Sequence, residues 1–153
     1  MRHALPLAAL VVALAGCAQQ PQPVAAPQAR VFAVDMQGGA RVCNATQNVA
    51  LDPARPAEAQ MVLVNDGGWC GISVAQPGPR PYAAGLVTAR PAHGRVHIRT
   101  VGDRTRVDYI PDRGFAGTDS FAVRMLPGGA QMRVAVTVQP GQIAATPAAA
   151  TGR

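Results

Sequence analysis

The side chains that most often perform catalysis are sparse in this chain of 153 residues. The serines, Ser73 and Ser120, lie outside any G-x-S-x-G elbow, the turn that exposes the nucleophile of many hydrolases. Glu58 is the only glutamate, so a hydrolase built on paired carboxylates would depend on scattered aspartates. We therefore predict that the protein is not an enzyme and uses no cofactor.

The histidines and aspartates show no metal-ligand spacing. His93 and His97 lie on one short segment, and along an extended strand this spacing separates them by about 13 Å. Asp112 and Asp119 are conceivable calcium ligands, but a calcium site needs several clustered oxygen ligands. The neighbouring sequence holds too few acidic residues to supply them. The sequence therefore predicts no metal site.

Composition favours strands over helices as the elements that position these residues. The chain contains 16 Gly and 14 Pro, both of which break helices. Apolar and polar residues alternate with a period of two through the middle of the chain. We predict strands over 30–36, 60–65, 69–74, 95–101, 104–110, 120–125 and 132–138. Residues 41–51 show no clear pattern.

Two turn sequences predict hairpins. Asp66-Gly67-Gly68 separates strands 60–65 and 69–74, and its composition suits a hairpin turn. Gly102-Asp103 joins strands 95–101 and 104–110 with glycine first, as a type II′ turn requires. Counting outward from the second turn gives the pairs Arg99–Arg106, Ile98–Val107, His97–Asp108 and Val96–Tyr109. One face of this hairpin is then apolar, and the other is basic.

The ends of the chain resemble those of an exported protein. A basic start and the apolar run 4–15, too short to span about 30 Å of hydrocarbon, are typical of a signal peptide. Leu14-Ala15-Gly16-Cys17 resembles the lipobox of bacterial lipoproteins. The resemblance implies cleavage after residue 16, acylation of Cys17 and, because Ala18 follows, anchorage in the outer membrane. The domain would face the periplasm or the cell surface.

These features divide the chain into four parts. Residues 1–16 form the signal peptide, and 17–29 comprise the lipidated cysteine and a flexible tether rich in Pro, Gln and Ala. Residues 30–140 form the folded domain, and 141–153 form a disordered tail.

Cys43 and Cys70 remain as an even pair in an exported chain, which predicts a disulfide. Neighbouring side chains on a strand point to opposite faces, so Trp69 and Cys70 should do so. We therefore do not expect the inter-sheet bridge of antibody domains, in which a tryptophan packs on the disulfide. A redox or metal-binding pair would need a C-x-x-C spacing that is missing here.

The second half of the chain contains four motifs in order: PAHGRV at 91–96, VDYIP at 107–111, GFAGTDSF at 114–121 and VAVTV at 134–138. In order and spacing they resemble the motifs of bacterial Ig-like (cadherin-like) domains. The resemblance implies an all-β fold, an Ig-like β-sandwich with Greek-key connections. Within it, Asp119 is suited to accept backbone N–H bonds, and Phe121 and Tyr109 should be buried.

The basic hairpin face is a candidate anion-binding site. It carries the arginines Arg95, Arg99, Arg104 and Arg106. Arginines directly opposite each other repel by a few tenths of a kcal/mol, and a bound phosphate or carboxylate would relieve this repulsion. Lipopolysaccharide, anionic phospholipid and peptidoglycan are candidate ligands in an envelope. The alternative is a solvated strand face in an arginine-rich protein.

Two functional hypotheses follow. The first is a lipid-anchored, non-catalytic structural, adhesive or protein-binding module of the cell envelope. The second is a ligand-binding or enzyme-accessory subunit for cell-wall glycan or anionic envelope polymers. An exposed platform of Trp69 and Tyr82 would favour glycan binding. Nucleic acid is not an expected partner, because an envelope lipoprotein rarely meets it.

Overall fold

The computed structural model describes residues 30–78 and 80–141. A short 3-10 helix, Ala33–Met36, precedes the strands. The strands are β1 Cys43–Ala45, β2 Ala57–Asn65, β3 Cys70–Val74, β4 Ala84–Ala89, β5 Gly94–Val101, β6 Arg104–Pro111, β7 Gly117–Leu126 and β8 Gln131–Pro140. The predicted signal peptide and tether, and the predicted tail beyond Gly141, lie outside the described residues.

The strands form two sheets, which confirms the predicted all-β Ig-like sandwich with Greek-key connections. One sheet has five strands in the order β1-β2-β8-β7-β4, and the other has three in the order β3-β6-β5. β2 and β8 run parallel, whereas the other pairs are antiparallel. The chain therefore crosses between the sheets after β2, β3, β4 and β6.

The core lies between the sheets and is filled by the alternating apolar residues that the sequence analysis identified. β7 contributes Phe121, Val123 and Met125, and β8 contributes alternate residues from Met132 to Val138. Tyr109 of β6 is fully buried among them. This alternation confirms the predicted strand periods and leaves the intervening polar residues on the outside.

The β5–β6 hairpin has the predicted register. The pairs Arg99–Arg106, Ile98–Val107, His97–Asp108 and Val96–Tyr109 are all present. Gly102 has a φ of +60°, as the first position of a type II′ turn requires. A local turn and a clear alternation are sufficient here to determine the pairing.

The predicted hairpin around Asp66 is wrong. β2 pairs with β1 and β8, whereas β3 pairs with β6 in the other sheet. Both strands bury their apolar residues, so they must face each other across the core, and the turn becomes a corner between sheets. The Asp66 carboxylate holds this corner by accepting N–H bonds from Arg41 at 2.9 Å and Gly68 at 3.1 Å.

The predicted first strand at 30–36 is also wrong, because Ala33–Met36 forms a single 3-10 turn. The Asp35 carboxylate accepts the backbone N–H of Phe32 at 3.1 Å. Such a local side-chain bond competes with extended backbone and favours a turn. The unassigned stretch 41–51 contains β1, which pairs with β2.

The predicted disulfide joins Cys43 to Cys70. It links β1 of the five-stranded sheet to β3 of the three-stranded sheet, so it is an inter-sheet bridge, whereas the Trp69 ring lies on Arg106. Trp69 points away from the core that buries Cys70, as predicted. Closing a loop of this length stabilises the fold by about 3–4 kcal/mol in the chain-entropy model.

Asp119 joins two loops at one end of the sandwich. Its carboxylate accepts the backbone N–H groups of Ala92 and His93, both at 2.9 Å, and of Ser120 at 2.8 Å. The Tyr109 hydroxyl also donates to it at 2.9 Å. Burial opposes ionisation of Asp119, but these hydrogen bonds together outweigh it and hold its pKa below the usual value. The predicted role of Asp119 as an acceptor of backbone N–H bonds is confirmed.

This depressed pKa predicts a pH-dependent stability. The contribution of Asp119 is complete above the unfolded aspartate pKa of about 3.9 and is lost as pH falls through the lower folded value. Asp119→Asn should therefore lower the free energy of unfolding by about 2 kcal/mol at neutral pH. The deficit relative to wild type should shrink below pH of about 4.

Urea unfolding at a series of pH values measures this deficit. Asp103→Asn is the matched control, because the Asp103 carboxylate makes no hydrogen bond within residues 30–78 and 80–141. A deficit of Asp119→Asn that stayed constant from neutral to acid pH would contradict the prediction.

Candidate interaction surface on the three-stranded sheet

The outer face of the three-stranded sheet is covered over its central strand, which is buried on both sides. In β6 the residues from Thr105 to Tyr109 are all buried. Val107 and Tyr109 face the core, whereas Arg106 and Asp108 lie on the outer face. Residues 30–41 are here called the strap. The strap and Trp69 together cover Arg106 and Asp108 on that outer face. β6 therefore has polar residues on its outer face, yet both of its faces are buried.

Arg106 and Asp108 form an ion pair beneath this cover. Arg106 Nε lies 2.7 Å from Asp108 Oδ1, and Nη2 lies 3.2 Å from Oδ2. Arg99 on the neighbouring strand adds a third bond, from its Nε to Asp108 Oδ2 at 3.0 Å. Gly71 lies opposite Asp108 in β3, and a Cβ there would collide with Asp108 Oδ1. The missing side chain at position 71 makes room for the pair.

Trp69 lies over the buried arginine. The Arg106 Cζ atom is 3.7 Å from the centre of the indole ring, and that of Arg99 is 5.8 Å away. At this range a guanidinium is attracted to an aromatic face by about 1–2 kcal/mol when the contact is desolvated. The indole N–H donates to the Gln37 carbonyl at 2.7 Å. Trp69 therefore joins the ion pair to the strap.

Residues 35–41 fasten the strap to the rest of the sandwich. Arg106 Nη1 donates to the Asp35 carbonyl at 2.6 Å. The backbone of Trp69 accepts from Ala40 at 2.8 Å and donates to Gly38 at 3.0 Å. These bonds hold the strap in one position on the sheet.

The candidate anion-binding arginines do not form one surface. Arg106 is only 5% exposed and is paired with Asp108, so the expectation of a solvent-accessible Arg106 is wrong. Asp108, rather than an external anion, offsets the repulsion between Arg99 and Arg106. Arg104 lies at the hairpin turn and is half-buried, whereas Arg95 is exposed at the other end of β5.

A cleft of about 740 Å³ adjoins Arg95 and collects further arginines. It lies between the β2–β3 corner and the loop after β6, and Arg41 and Arg113 also line it. Arg41 pairs with Asp66 at 3.3 Å, but within the described part of the chain Arg95 and Arg113 form no ion pair. Sequence reasoning missed Arg41 and Arg113, because they lie far from Arg95 along the chain.

The aromatic residues proposed as a glycan platform do not form one. Tyr82 is buried in the core with 7% of its surface exposed. Trp69 is half-buried, and its ring is engaged by Arg106. The two rings therefore do not form an exposed platform, and this weighs against glycan binding by aromatic stacking.

The comparisons leave the function to be argued from geometry. No family model matches the sequence, and the search of curated proteins finds no match. Across residues 30–78 and 80–141, no group of three or more His, Cys, Asp or Glu side chains could hold a metal ion. Within the same residues, no helix is long and apolar enough to cross a membrane.

The buried ion pair predicts an asymmetric response to mutation. Asp108→Asn would leave Arg106 buried without a counter-charge, which costs about 3–5 kcal/mol of unfolding free energy. Arg99→Gln removes the partner that is 38% exposed and should cost about 1 kcal/mol or less. Urea unfolding of both variants measures the difference, and equal losses would contradict the structural role assigned to Asp108.

Proposed function

We propose that the protein is an outer-membrane-anchored lipoprotein whose Ig-like sandwich is a non-catalytic structural, adhesive or protein-binding module of the cell envelope. One observation carries the non-catalytic role, namely how the carboxylates are used. Asp108 binds Arg106 and Arg99, Asp119 binds backbone N–H groups, and Asp66 holds a corner. These three carboxylates, which could otherwise act as acid or base, are committed to the fold.

The anchor is supported by the lipobox resemblance around Cys17. The described sandwich begins at Arg30. The twelve residues between them, if extended, would reach roughly 37 Å at about 3.1 Å each. Several acyl chains on one cysteine would bind a bilayer far more firmly than a single chain, which anchors only marginally.

Metabolic labelling tests the anchor. Labelled palmitate should enter the wild-type protein, and Cys17→Ser should abolish the incorporation. Cys43→Ala is the matched control, because Cys43 is in the disulfide and should leave the labelling unchanged. Incorporation that survives Cys17→Ser would refute the lipoprotein proposal, and fractionation of the labelled protein into the inner membrane would refute its outer-membrane location.

The cleft favours one form of the second function, the binding of an anionic envelope polymer. Three arginines and two aspartates, Asp66 and Asp112, line it, and Asp66 is paired with Arg41. Arg95 and Arg113 have no ion-pair partner among the described residues, and the arginine fork suits phosphate and carboxylate. Glycan binding through stacked aromatic rings is not supported, since Tyr82 is buried and Trp69 is covered.

Charge reversal tests the cleft. Arg95→Glu/Arg113→Glu should weaken salt-dependent binding to lipopolysaccharide or peptidoglycan fragments about tenfold or more. Arg124→Glu/Arg133→Glu makes the same change in net charge on exposed positions of β7 and β8 and should leave binding near the wild-type level. Equal binding by wild type and both variants would exclude the cleft as the binding site.

A further inference from the structure

The strap presents its apolar side chains to solvent. The exposed fractions are 56% for Val31, 61% for Phe32, 64% for Val34 and 65% for Met36. Single exposed apolar residues are ordinary on a protein surface, but a contiguous group of large ones marks an interaction site. These four residues, which lie in or directly before the turn Ala33–Met36, therefore mark a candidate interaction site.

This exposure does not come from a segment left loose on the surface. The Arg106 side chain donates to the Asp35 carbonyl and the Trp69 side chain donates to the Gln37 carbonyl. These two bonds attach the strap to the rest of the protein. The Asp35 and Gln37 carbonyls thus face the sandwich, and the Asp35 carboxylate bonds to the Phe32 N–H within the strap. The turn is therefore held through its backbone carbonyls while its apolar side chains are exposed.

The charges around the apolar group are those of a membrane-binding surface. Arg30 begins the strap and is exposed, and Arg41 ends it with 80% of its side chain exposed while its Nε pairs with Asp66. Asp35, the acidic residue of the strap, is half-buried. Apolar side chains flanked by arginines favour the interface of a bilayer, where the former enter the acyl boundary and the latter meet anionic headgroups.

The position of the strap in the chain selects the bilayer over other partners. Twelve residues, 18–29, separate the strap from Cys17. If Cys17 is acylated, the strap is the first described part of the domain to follow the membrane. A tether of this length keeps its effective concentration at the bilayer high, so that even a weak surface affinity is sufficient for docking.

We propose that Val31, Phe32, Val34 and Met36 dock the sandwich on the phospholipid surface that holds its lipid anchor, so that the outer face of the three-stranded sheet turns toward the membrane. This docking goes beyond the proposed function and rests on it for the anchor. The five-stranded sheet and its β4 edge then point away from the bilayer, where they are available to other partners.

The only tryptophan of the chain is a built-in probe for this contact. The full chain, isolated from membranes, is placed in vesicles of phosphatidylethanolamine and phosphatidylglycerol whose acyl chains do or do not carry bromine. Bromine quenches tryptophan emission only at short range, and Trp69 lies against the strap. We expect brominated lipid to quench the wild-type emission several-fold more strongly than that of Phe32→Ser/Met36→Ser.

Leu86→Ser/Val87→Ser is the matched control. These β4 residues are also exposed, at 50% and 37%, but belong to the other sheet, so this variant should be quenched like wild type. Equal Trp69 emission of all the proteins without bromine confirms that the fold is intact. Equal quenching of wild type and Phe32→Ser/Met36→Ser, or no quenching of either, would overturn the proposal. Unquenched wild type that cross-links as a dimer in the vesicles would assign the strap to a second copy and overturn it as well.

Palmitate labelling separates this result from the proposed anchor. A chain that is labelled at Cys17 but not quenched refutes the docking and leaves the lipoprotein proposal standing. A chain that is not labelled but is quenched after mixing with vesicles refutes the anchor and supports a membrane-binding strap.

Discussion

A buried ion pair between Arg106 and Asp108 organises one whole side of the molecule. Removing two charges from water is expensive, and their attraction offsets that cost only when the remaining donors and acceptors are also satisfied. Here Arg99 donates a further hydrogen bond to the Asp108 carboxylate, and the Trp69 ring covers the Arg106 guanidinium. A third N–H of Arg106, on Nη1, donates to the Asp35 carbonyl. Burial of this one arginine therefore helps to set the position of the strap.

Several aspartates hold separate parts of the fold together. Asp119 joins loops at one end of the sandwich, and the backbone N–H of Arg41, with further bonds, holds the pKa of Asp66 below its usual value at the corner between sheets. The chain has eight acidic groups against 14 basic ones, so structural use of the acids leaves uncommitted arginines. Among the described residues, Arg95 and Arg113 at the cleft and Arg30 at the start of the strap form no ion pair. These are the places where we propose that an anionic polymer or a lipid surface binds.

Two turns of similar composition show how far local sequence reaches. Gly102-Asp103 joins neighbouring strands, and alternation outward from it predicts every pair of the β5–β6 hairpin correctly. Asp66-Gly67-Gly68 has equally good turn chemistry, yet it joins strands of different sheets. Turn residues specify a change of direction but not the sheet in which the next strand pairs. That choice depends on β6 and β8, which lie much later in the chain.

The sequence alone determined which strand residues enter the core, because alternation and apolar character are local properties. It also determined the disulfide partners and the role of Asp119. Only the tertiary structure decided what covers the outer faces. Arg106 donates a hydrogen bond to the carbonyl of Asp35, which lies 71 residues away in the sequence. The disulfide connects the two sheets because β1 and β3 belong to different sheets. An alternating strand specifies one buried face, whereas the fate of its other face depends on distant segments that no local pattern encodes.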